Sequence, residues 1–237
     1  MMTDNPTVTF YETQDGSHTL ESKDYDATYH SIFGAIDESL VVFIMAGLDY
    51  QRVQRKSTHI NILEVGMGTG LNVWLAALWA ETHGIKINIH TLEKHPLDAT
   101  VTDLLNYNHS LPDLSDSQLL LIKAIHNSPW EEQVHLNTYT TLTKHHCDVL
   151  THPYSTDCYD VIFFDAFAPN TQPELWTEDF HTLLYRSLKV NGTLTTYCAK
   201  GVVKRMLKGI GYELDQLPGP HRKHEMTRAL KVPARKT

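Results

Sequence analysis

Apolar and polar positions along this chain alternate with two different periods, and the order of these periods predicts an α/β fold. Short β-branched and apolar runs, which are typical of strands, occur at 59–65, 86–93, 138–147, 159–165 and 192–198. Apolar positions at helical spacing lie between or after them, at 70–82, 96–107, 116–125, 175–188 and 200–208. This alternation predicts a mostly parallel, Rossmann-like sheet with helices on its faces. Two last runs, 212–217 and 225–230, predict a closing antiparallel pair.

Two elements precede this alternation. β-Branched and aromatic residues on both sides of Asp15-Gly16 predict a hairpin over 8–21. Apolar residues recur at helical spacing between Ile36 and Gly47, which predicts an amphipathic helix over 32–50. We therefore expect a hairpin and helix extension over 1–58, followed by the Rossmann-like domain over 59–237.

Glycines recur at alternate positions over 66–70, directly after a strand that ends in Glu64-Val65. Such glycines let the backbone turn tightly and approach a ligand, and the helix after them offers unpaired N–H groups. A dinucleotide loop would have a further glycine where Leu71 stands. Glu64 would repel a pyrophosphate, yet it suits the ammonium and sulfonium of S-adenosylmethionine. We predict that this cofactor is bound by Glu64, Gly66, Gly68, Thr69, Gly70, Leu71 and Asn72.

Four acidic residues, Glu64, Glu93, Asp148 and Asp165, fall at the predicted carboxyl ends of strands. Parallel sheets bind ligands beyond these ends, so we expect the four side chains to surround one site. Glu93 lies 23 positions after Gly70, near the spacing at which an acidic residue binds ribose hydroxyls. The alternative is that they are ordinary polar strand ends.

Composition narrows the class of protein. A chain of 237 residues fits one α/β domain with an extension. Its three cysteines have no metal-ligand spacing, residues 1–10 do not resemble a secretion signal, and the apolar stretch 40–48 is too short to span a bilayer. The 15 histidines form no ligand pattern, so we expect no metal site. These features predict a cytoplasmic protein without a membrane partner.

The net charge of −8 conceals an asymmetry. Residues 200–237 contain 10 of the 20 Lys and Arg but only 3 acidic residues, so this region carries +7 and the remainder −15. A basic face on an acidic body can orient a polyanion such as a nucleic acid. The alternative is a solvated surface with ordinary lysines.

Two longer motifs resemble the MnmC-type family of tRNA methyltransferases. The first is Phe164-Asp165-Ala166-Phe167-Ala168-Pro169, continued by Pro173-Glu174-Leu175-Trp176-Thr177, and the second is Tyr197-Cys198-Ala199-Lys200-Gly201. Shorter matches occur in order along nearly the whole chain, at 29–38, 63–72, 92–94 and 218–226. Thr171-Gln172 departs from the family, which often has Lys-Asn there, and this puts local loop contacts in doubt.

The resemblance implies a reaction. Members of this family use S-adenosylmethionine to methylate the aminomethyl group of wobble uridine 34 in tRNA, which gives 5-methylaminomethyl-(2-thio)uridine. Two-domain members also carry a flavin oxidase, and the chain is expected to be the stand-alone, MnmD-like form because it stops at Thr237. Other enzymes, including a separate oxidase, would then supply the aminomethyl precursor.

The resemblance and the strand-end positions together suggest a role for each candidate. Asp165 is the catalytic candidate, as a base or as a group that orients the amine, although it could simply cap a turn. Glu64 is assigned to the methionine end of the cofactor, Glu93 to the ribose and Asp148 to the adenine. The candidates for the substrate are Tyr29, Phe167, Pro169, Lys200, Arg222 and Lys223, with Lys204, Arg205 and Arg228 as further phosphate contacts.

Two other functions remain open at this stage. The chain could be a class I methyltransferase for a small amine or a protein, in which case the basic C-terminal region would be incidental. It could also be a non-catalytic cofactor-binding partner of an oxidase. An acidic residue at position 165 argues against that last possibility, because a non-catalytic protein need not retain one.

Overall fold

A computed structural model of the chain describes residues 7–56, 58–220 and 225–233. The strands are β1 Val8–Glu12, β2 His18–Ser22, β3 Ala27–Thr28, β4 His59–Val65, β5 Lys86–Glu93, β6 Gln133–His135, β7 Thr140–His146, β8 Tyr159–Phe164, β9 Leu188–Thr196, β10 Tyr212–Pro218 and β11 Glu225–Lys231. The α-helices are α1 Ala35–Ser39, α2 Tyr50–Arg55, α3 Leu71–His83, α4 Ala99–Thr102, α5 Tyr107–Ser110, α6 Asp116–Asn127, α7 Glu178–Ser187 and α8 Gly201–Ile210. A π-helix, Leu40–Asp49, connects α1 to α2, and Pro173–Leu175 is a 3-10 helix.

Eight strands form the main sheet in the order β10-β11-β9-β8-β4-β5-β7-β6. Parallel pairing joins β9, β8, β4, β5 and β7, whereas β6, β10 and β11 pair antiparallel at the two edges. The predicted fold class is thereby confirmed. The chain runs outward from β4 in both directions, and such a reversal leaves a crevice at the carboxyl ends of β4 and β8 where ligands bind.

The hydrophobic core crosses the predicted boundary at residue 58. Val42, Phe43 and Leu48 of the π-helix belong to the same buried cluster as Ile62 of β4. A Cβ added at Gly47 would lie 3.1 Å from a ring carbon of Phe163 on β8, so glycine lets this helix pack closely on the sheet. The apolar run 40–48 is therefore explained by packing, and the extension shares its core with the Rossmann-like part.

The predicted N-terminal hairpin is present as β1 and β2, and β3 extends it to a small three-stranded sheet. Gly16 has φ +80° in the turn, and the Asp15 carboxylate accepts the Ser17 N–H at 3.0 Å. Asn106 fixes the hairpin to the main fold, because its side chain accepts the His18 N–H at 2.7 Å and donates to Gly16 O at 2.8 Å. These bonds position the following segment, 23–32, over the crevice.

Several predicted elements have different limits in the structure. The predicted helix over 32–50 runs over 35–55 and contains the π-helix. The predicted helix over 96–107 was wrong, since only the single-turn helices α4 and α5 form there. Asp98 caps α4, which consists mostly of β-branched residues, and these disfavour a helix. The Asn106 side chain forms its hydrogen bonds with the hairpin. The edge strand β6 was not predicted, and β9 begins before the expected start because it continues through a bulge at Asn191, which has φ +66°.

Candidate active site

A cavity of about 990 Å³ opens at the carboxyl ends of β4, β5 and β8. Its floor includes the glycine loop after β4, its sides include the residues that follow β5, β7 and β8, and part of its wall comes from the segment 24–32. The cavity therefore lies at the topological switch point of the sheet, where the fold predicts a ligand. Its volume is within the range of small-molecule sites in proteins.

The glycine loop packs closely against two other segments of the chain. Gly66 and Gly68 have φ of +89° and +51°, values that side chains disfavour. A Cβ at Gly66 would lie 2.7 Å from Asp165 O, and one at Gly68 would lie 2.9 Å from Cδ1 of Tyr29. The loop thus packs between the end of β8 and the N-terminal segment, and α3 begins directly after Gly70.

Glu93 and Asp148 border the part of the cavity above β5 and β7. The Glu93 carboxylate accepts the Gly68 N–H at 3.0 Å and the His95 N–H at 2.8 Å. Lys94 forms an ion pair of 2.8 Å with Asp148, and this pair lowers the pKa of the Asp148 carboxyl. Both acidic residues line the cavity, as the strand-end pattern predicted.

Asp165 follows β8 on the other half of the cavity. Its Oδ2 accepts a hydrogen bond of 2.8 Å from the Asn72 amide at the start of α3, and its backbone N–H donates to Val65 O at 3.1 Å. The carboxylate is half-buried and lines the cavity. Tyr197, which follows β9, lies nearby and donates its hydroxyl proton to Ala166 O at 2.9 Å. Bonds to the end of β4 and from the residue after β9 thus hold the segment that carries Asp165 in place.

Glu64 lies beneath the cavity floor. Its side chain is 0% exposed, and it is not among the residues that line the cavity. Burial raises the pKa of the Glu64 carboxyl to about 8, although hydrogen bonds from Thr91 and Asn72 oppose this effect. The Thr91 hydroxyl donates to Oε2. The assignment of Glu64 to the cofactor therefore remains a prediction, and any influence would pass through the loop above it.

Three aromatic rings cover the cavity. Tyr25 stacks on Phe167 with ring centroids 4.7 Å apart and an interplanar angle of 29°. Tyr29 meets the edge of Phe167 at 5.4 Å. All three rings line the cavity, whereas Pro169 does not. The N-terminal segment and the loop after β8 therefore form a common aromatic roof, which we define as Tyr25, Tyr29 and Phe167.

The basic candidates of the C-terminal region have different surroundings. Lys204 pairs with Glu225, and Arg228 pairs with Asp215 at 2.8 Å while its guanidinium lies over the ring of Tyr50. Lys200 is exposed and donates to Asn170 Oδ1 at 3.0 Å, in the loop after β8. Arg222 and Lys223 lie outside the described residues.

The structure thus brings together eight of the predicted site residues at the cavity: Tyr29, Gly66, Gly68, Thr69, Glu93, Asp148, Asp165 and Phe167. Glu64, Gly70, Leu71 and Asn72 lie behind this lining, and Lys200 lies outside it. Four further residues line the cavity without a predicted role: Tyr25, Glu38, Gln172 and Tyr197. Glu38 and Tyr197 stood inside the matched motifs, whereas Tyr25 gave no signal beyond being an aromatic residue near the hairpin.

The lining is strongly acidic. Among the described residues, the cavity wall has a single lysine, Lys94. It has six carboxylates: Asp24, Glu38, Glu93, Asp148, Asp165 and Glu174. Such a wall favours cationic ligands. S-Adenosylmethionine carries a sulfonium and an ammonium, and the closely packed glycine loop and the Glu93 carboxylate fit its nucleoside.

No group of three or more His, Cys, Asp or Glu suited to a metal ion occurs within the described part of the chain. None of the helices described over 7–56, 58–220 and 225–233 is long and apolar enough to cross a membrane.

Comparisons with known proteins agree with this site. Residues 115–232 match a family described as S-adenosyl-L-methionine-dependent methyltransferase. The tRNA 5-methylaminomethyl-2-thiouridine biosynthesis bifunctional protein MnmC of Pseudomonas entomophila (strain L48) is 33% identical over 213 residues, which cover 86% of this chain and 32% of that protein. MnmC of Pseudomonas fluorescens (strain Pf0-1) is 32% identical over 216 residues, which cover 87% of this chain and 32% of that protein. The chain therefore spans about a third of the length of these curated relatives.

A solved structure is similar over almost the whole chain. The crystal structure of MnmC2 from Aquifex aeolicus has a TM-score of 0.76 at 27% identity, and the match covers 99% of this chain and 74% of that one. Fold, glycine loop and cavity together define a class I methyltransferase.

The chain is an S-adenosyl-L-methionine-dependent methyltransferase. Within that class its resemblance to MnmC-type proteins, which the motifs indicated, is confirmed. The predictions of an enzyme and of S-adenosylmethionine as its cofactor are confirmed as well.

Proposed function

We propose that this methyltransferase acts on the aminomethyl group of wobble uridine 34 in tRNA and produces 5-methylaminomethyl-(2-thio)uridine. The observation that carries the proposal is the cavity, which combines an acidic wall with an aromatic roof. An alkylamine is cationic near neutral pH and can pair with the carboxylates, while a nucleobase can pack against the aromatic rings. The names of the MnmC relatives support the same nucleoside.

The reaction is a displacement at the methyl carbon. The cofactor supplies a methyl group on sulfonium: the amine nitrogen forms the new N–C bond, and the S–C electron pair stays on sulfur. Before this can occur the ammonium must lose a proton, and Asp165 is positioned to hold the amine and accept or pass on that proton. The Asn72 amide keeps the Asp165 carboxylate in place. Geometry is the main contribution, because a carboxylate is a weak base.

The sheet order suggests which half of the cavity holds which ligand. Glu93 ends β5 and Asp148 follows β7, so we assign the ribose and the adenine to that half. Asp165 and Tyr197 follow β8 and β9, which leaves the opposite half for the acceptor. Phe167, together with Tyr29, would pack against the uracil after it leaves the base stack of the anticodon.

The outer face of α8 is the proposed contact for the tRNA backbone. Arg205 and Lys208 are exposed one turn apart on this helix, and exposed Lys200 lies at its N-terminus. Lys200 also contacts the loop after β8, so this basic surface adjoins the segment that carries Asp165 and Phe167. Phosphate contacts of this kind orient a nucleic acid without reading its sequence. Arg222 and Lys223 remain candidates from the sequence alone.

We place the enzyme in the cytoplasm, where its substrate tRNA occurs. Its three free cysteines are compatible with a reducing compartment. Other enzymes, among them a separate oxidase, would supply the aminomethyl group.

Methyl transfer to defined tRNA tests this function. The protein is incubated with labelled S-adenosylmethionine and with tRNA that carries aminomethyluridine, and the digested nucleosides are separated. We expect label in methylaminomethyluridine. Cofactor binding without any labelled nucleoside would overturn the proposal.

Asp165→Ala tests the assigned role. Removal of this carboxylate should lower turnover by about 100-fold or more, because the amine loses both its orientation and its proton acceptor. Affinity for S-adenosylhomocysteine, measured by calorimetry, should stay within about twofold, since Asp165 lies on the acceptor half. Wild-type turnover would exclude Asp165 from catalysis.

A further inference from the structure

The turn between β2 and β3 places an aromatic side chain at the active-site cavity. Ser22 pairs with Ala27 beside this turn, and Asp26 within it takes a left-handed conformation, with φ +47°. Tyr25 is half-buried and lines the cavity, whereas Asp26 next to it is exposed. The hairpin thus brings the Tyr25 ring to the cavity wall, where no step of the reaction has yet used it.

The hairpin that carries Tyr25 is held to the rest of the fold. The Tyr29 N–H donates to Leu20 O at 2.8 Å, so hydrogen bonding between the two arms continues beyond β3. At the start of β2, the His18 N–H donates to the Asn106 side chain at 2.7 Å. Tyr25 and Tyr29 therefore reach the cavity from one anchored element.

Two ring contacts from this hairpin orient the Phe167 side chain. The main chain at Phe167 is fixed separately, because its carbonyl oxygen accepts the indole N–H of buried Trp176 at 2.8 Å. That bond does not restrain the side-chain torsion angles of Phe167. Tyr25 stacks on the Phe167 ring with centroids 4.7 Å apart, and Tyr29 forms an edge contact with it at 5.4 Å. The tilt of the Phe167 ring therefore depends on the hairpin.

The tilt of this ring matters for methyl transfer. A nucleobase packs against an aromatic ring through its flat face, so the plane of the ring sets the plane of the base. The first carbon of the aminomethyl group lies in the plane of the uracil ring. A tilted Phe167 ring would therefore displace the amine from the methyl carbon, and an in-line displacement is sensitive to such a shift.

We propose that Tyr25 is a positioning residue for the acceptor base, because it holds the Phe167 ring in the plane against which the uracil packs. This inference rests on the proposed function, in which Phe167 contacts the base, and it gives the N-terminal hairpin a part in acceptor recognition. Stacking requires a ring at position 25 and not a hydroxyl group, so phenylalanine should replace tyrosine there. Stacked aromatic pairs contribute more than the area they bury, so leucine should not replace it.

The test compares Tyr25→Leu with Tyr25→Phe and Tyr11→Leu. Tyr11 is an exposed residue of β1 in the same small sheet and is not among the residues that line the cavity, so Tyr11→Leu is the matched control. At saturating S-adenosylhomocysteine, each protein is titrated with two anticodon hairpins, one with aminomethyluridine at position 34 and one abasic there. The ratio of the two affinities isolates the contribution of the modified base, because changes in cofactor or phosphate contacts affect both hairpins alike.

We expect Tyr25→Leu to lower this ratio by about threefold to tenfold, the range for one lost aromatic pair, while Tyr25→Phe and Tyr11→Leu keep the wild-type ratio. An unchanged ratio in Tyr25→Leu, an equal loss in Tyr25→Phe or Tyr11→Leu, or a ratio near one in the wild-type protein would overturn the role of Tyr25. The proposed function is tested separately, since a wild-type protein that leaves aminomethyl tRNA unmethylated would overturn that function and this role together.

Discussion

Two carboxyl groups at strand ends on the same edge of the sheet differ in charge state because their surroundings differ. Asp148 is held ionised by Lys94, which lowers the pKa of the Asp148 carboxyl. The Glu64 side chain is 0% exposed, and burial raises the pKa of its carboxyl to about 8. Glu64 is therefore mostly protonated at neutral pH, directly below the glycine loop, which we expect to bind the cationic cofactor.

Cofactor binding should release a proton from Glu64. A sulfonium and an ammonium above the floor favour the ionised carboxylate, so they lower the pKa of Glu64 from about 8. The bound state then holds fewer protons than the free state, and affinity should rise by up to about tenfold per pH unit until pH reaches about 8, where it levels off. Calorimetry in buffers of different ionisation enthalpy measures the release.

Glu64→Gln separates the proton released by Glu64 from any proton released by the cofactor itself. This variant cannot release a proton at position 64, so the difference between it and the wild type isolates the contribution of Glu64. Equal proton release by the two proteins would show that Glu64 keeps one protonation state throughout.

At the scale of elements, the glycine loop and the aromatic roof are packed against each other. Gly68 lies under Tyr29, whose ring touches Phe167 at the other side of the cavity. The loop, the N-terminal segment and the segment after β8 therefore depend on one another for their positions. A change in one of them should alter the shape of the cofactor site.

Gly68→Ala should weaken cofactor binding at least about tenfold. The new Cβ would lie 2.9 Å from the Tyr29 ring, in a backbone conformation with φ +51°. Gly84→Ala is a matched control, because Gly84 has φ +63° at the end of α3 with nothing within 4 Å of the added Cβ. Each variant should lose about 1 kcal/mol of stability, but only Gly68→Ala should lose affinity. Equal affinities by calorimetry would contradict this packing.

The elements also show what the sequence could predict. Strands β4, β5 and β8 were predicted correctly to within a residue, because apolar residues at alternate positions in β4 and β5, and at consecutive positions in β8, are typical of strands. The region 96–107 was not, since its side chains serve caps and the hairpin instead of a helix. The strand-end rule located Glu93, Asp148 and Asp165. It could not locate Glu38, which lies 127 positions before Asp165 and is brought to the same cavity by tertiary packing.

At the scale of the whole molecule, charge is distributed unevenly. The cavity is acidic, whereas α8 presents Arg205 and Lys208 on its outer face. The acidic cavity therefore repels a polyanion, whereas the basic outer face of α8 attracts one. The same cavity attracts the cationic amine. This arrangement would keep the tRNA backbone outside and admit the modified base.

Arg205→Glu and Lys208→Glu should each weaken tRNA binding and reduce the slope of log affinity against log salt by about one. Lys86→Glu is the control, because it makes the same charge change on an exposed residue at the amino end of β5, away from the cavity. Fluorescence titration over a range of salt concentrations measures the slopes. If Lys86→Glu had the same effect, the interaction would depend on net charge and not on α8.

The most direct test asks which atom of the tRNA receives the methyl group. The enzyme is given S-adenosylmethionine with a deuterated methyl group and an equal mixture of aminomethyl tRNA and the same tRNA with unmodified uridine, and the nucleosides are analysed by tandem mass spectrometry. We expect the deuterated methyl group on the aminomethyl nitrogen of the wobble nucleoside and none in the unmodified tRNA. A deuterated methyl group on the base ring, on a ribose or in the unmodified tRNA would contradict an active site built for a cationic amine.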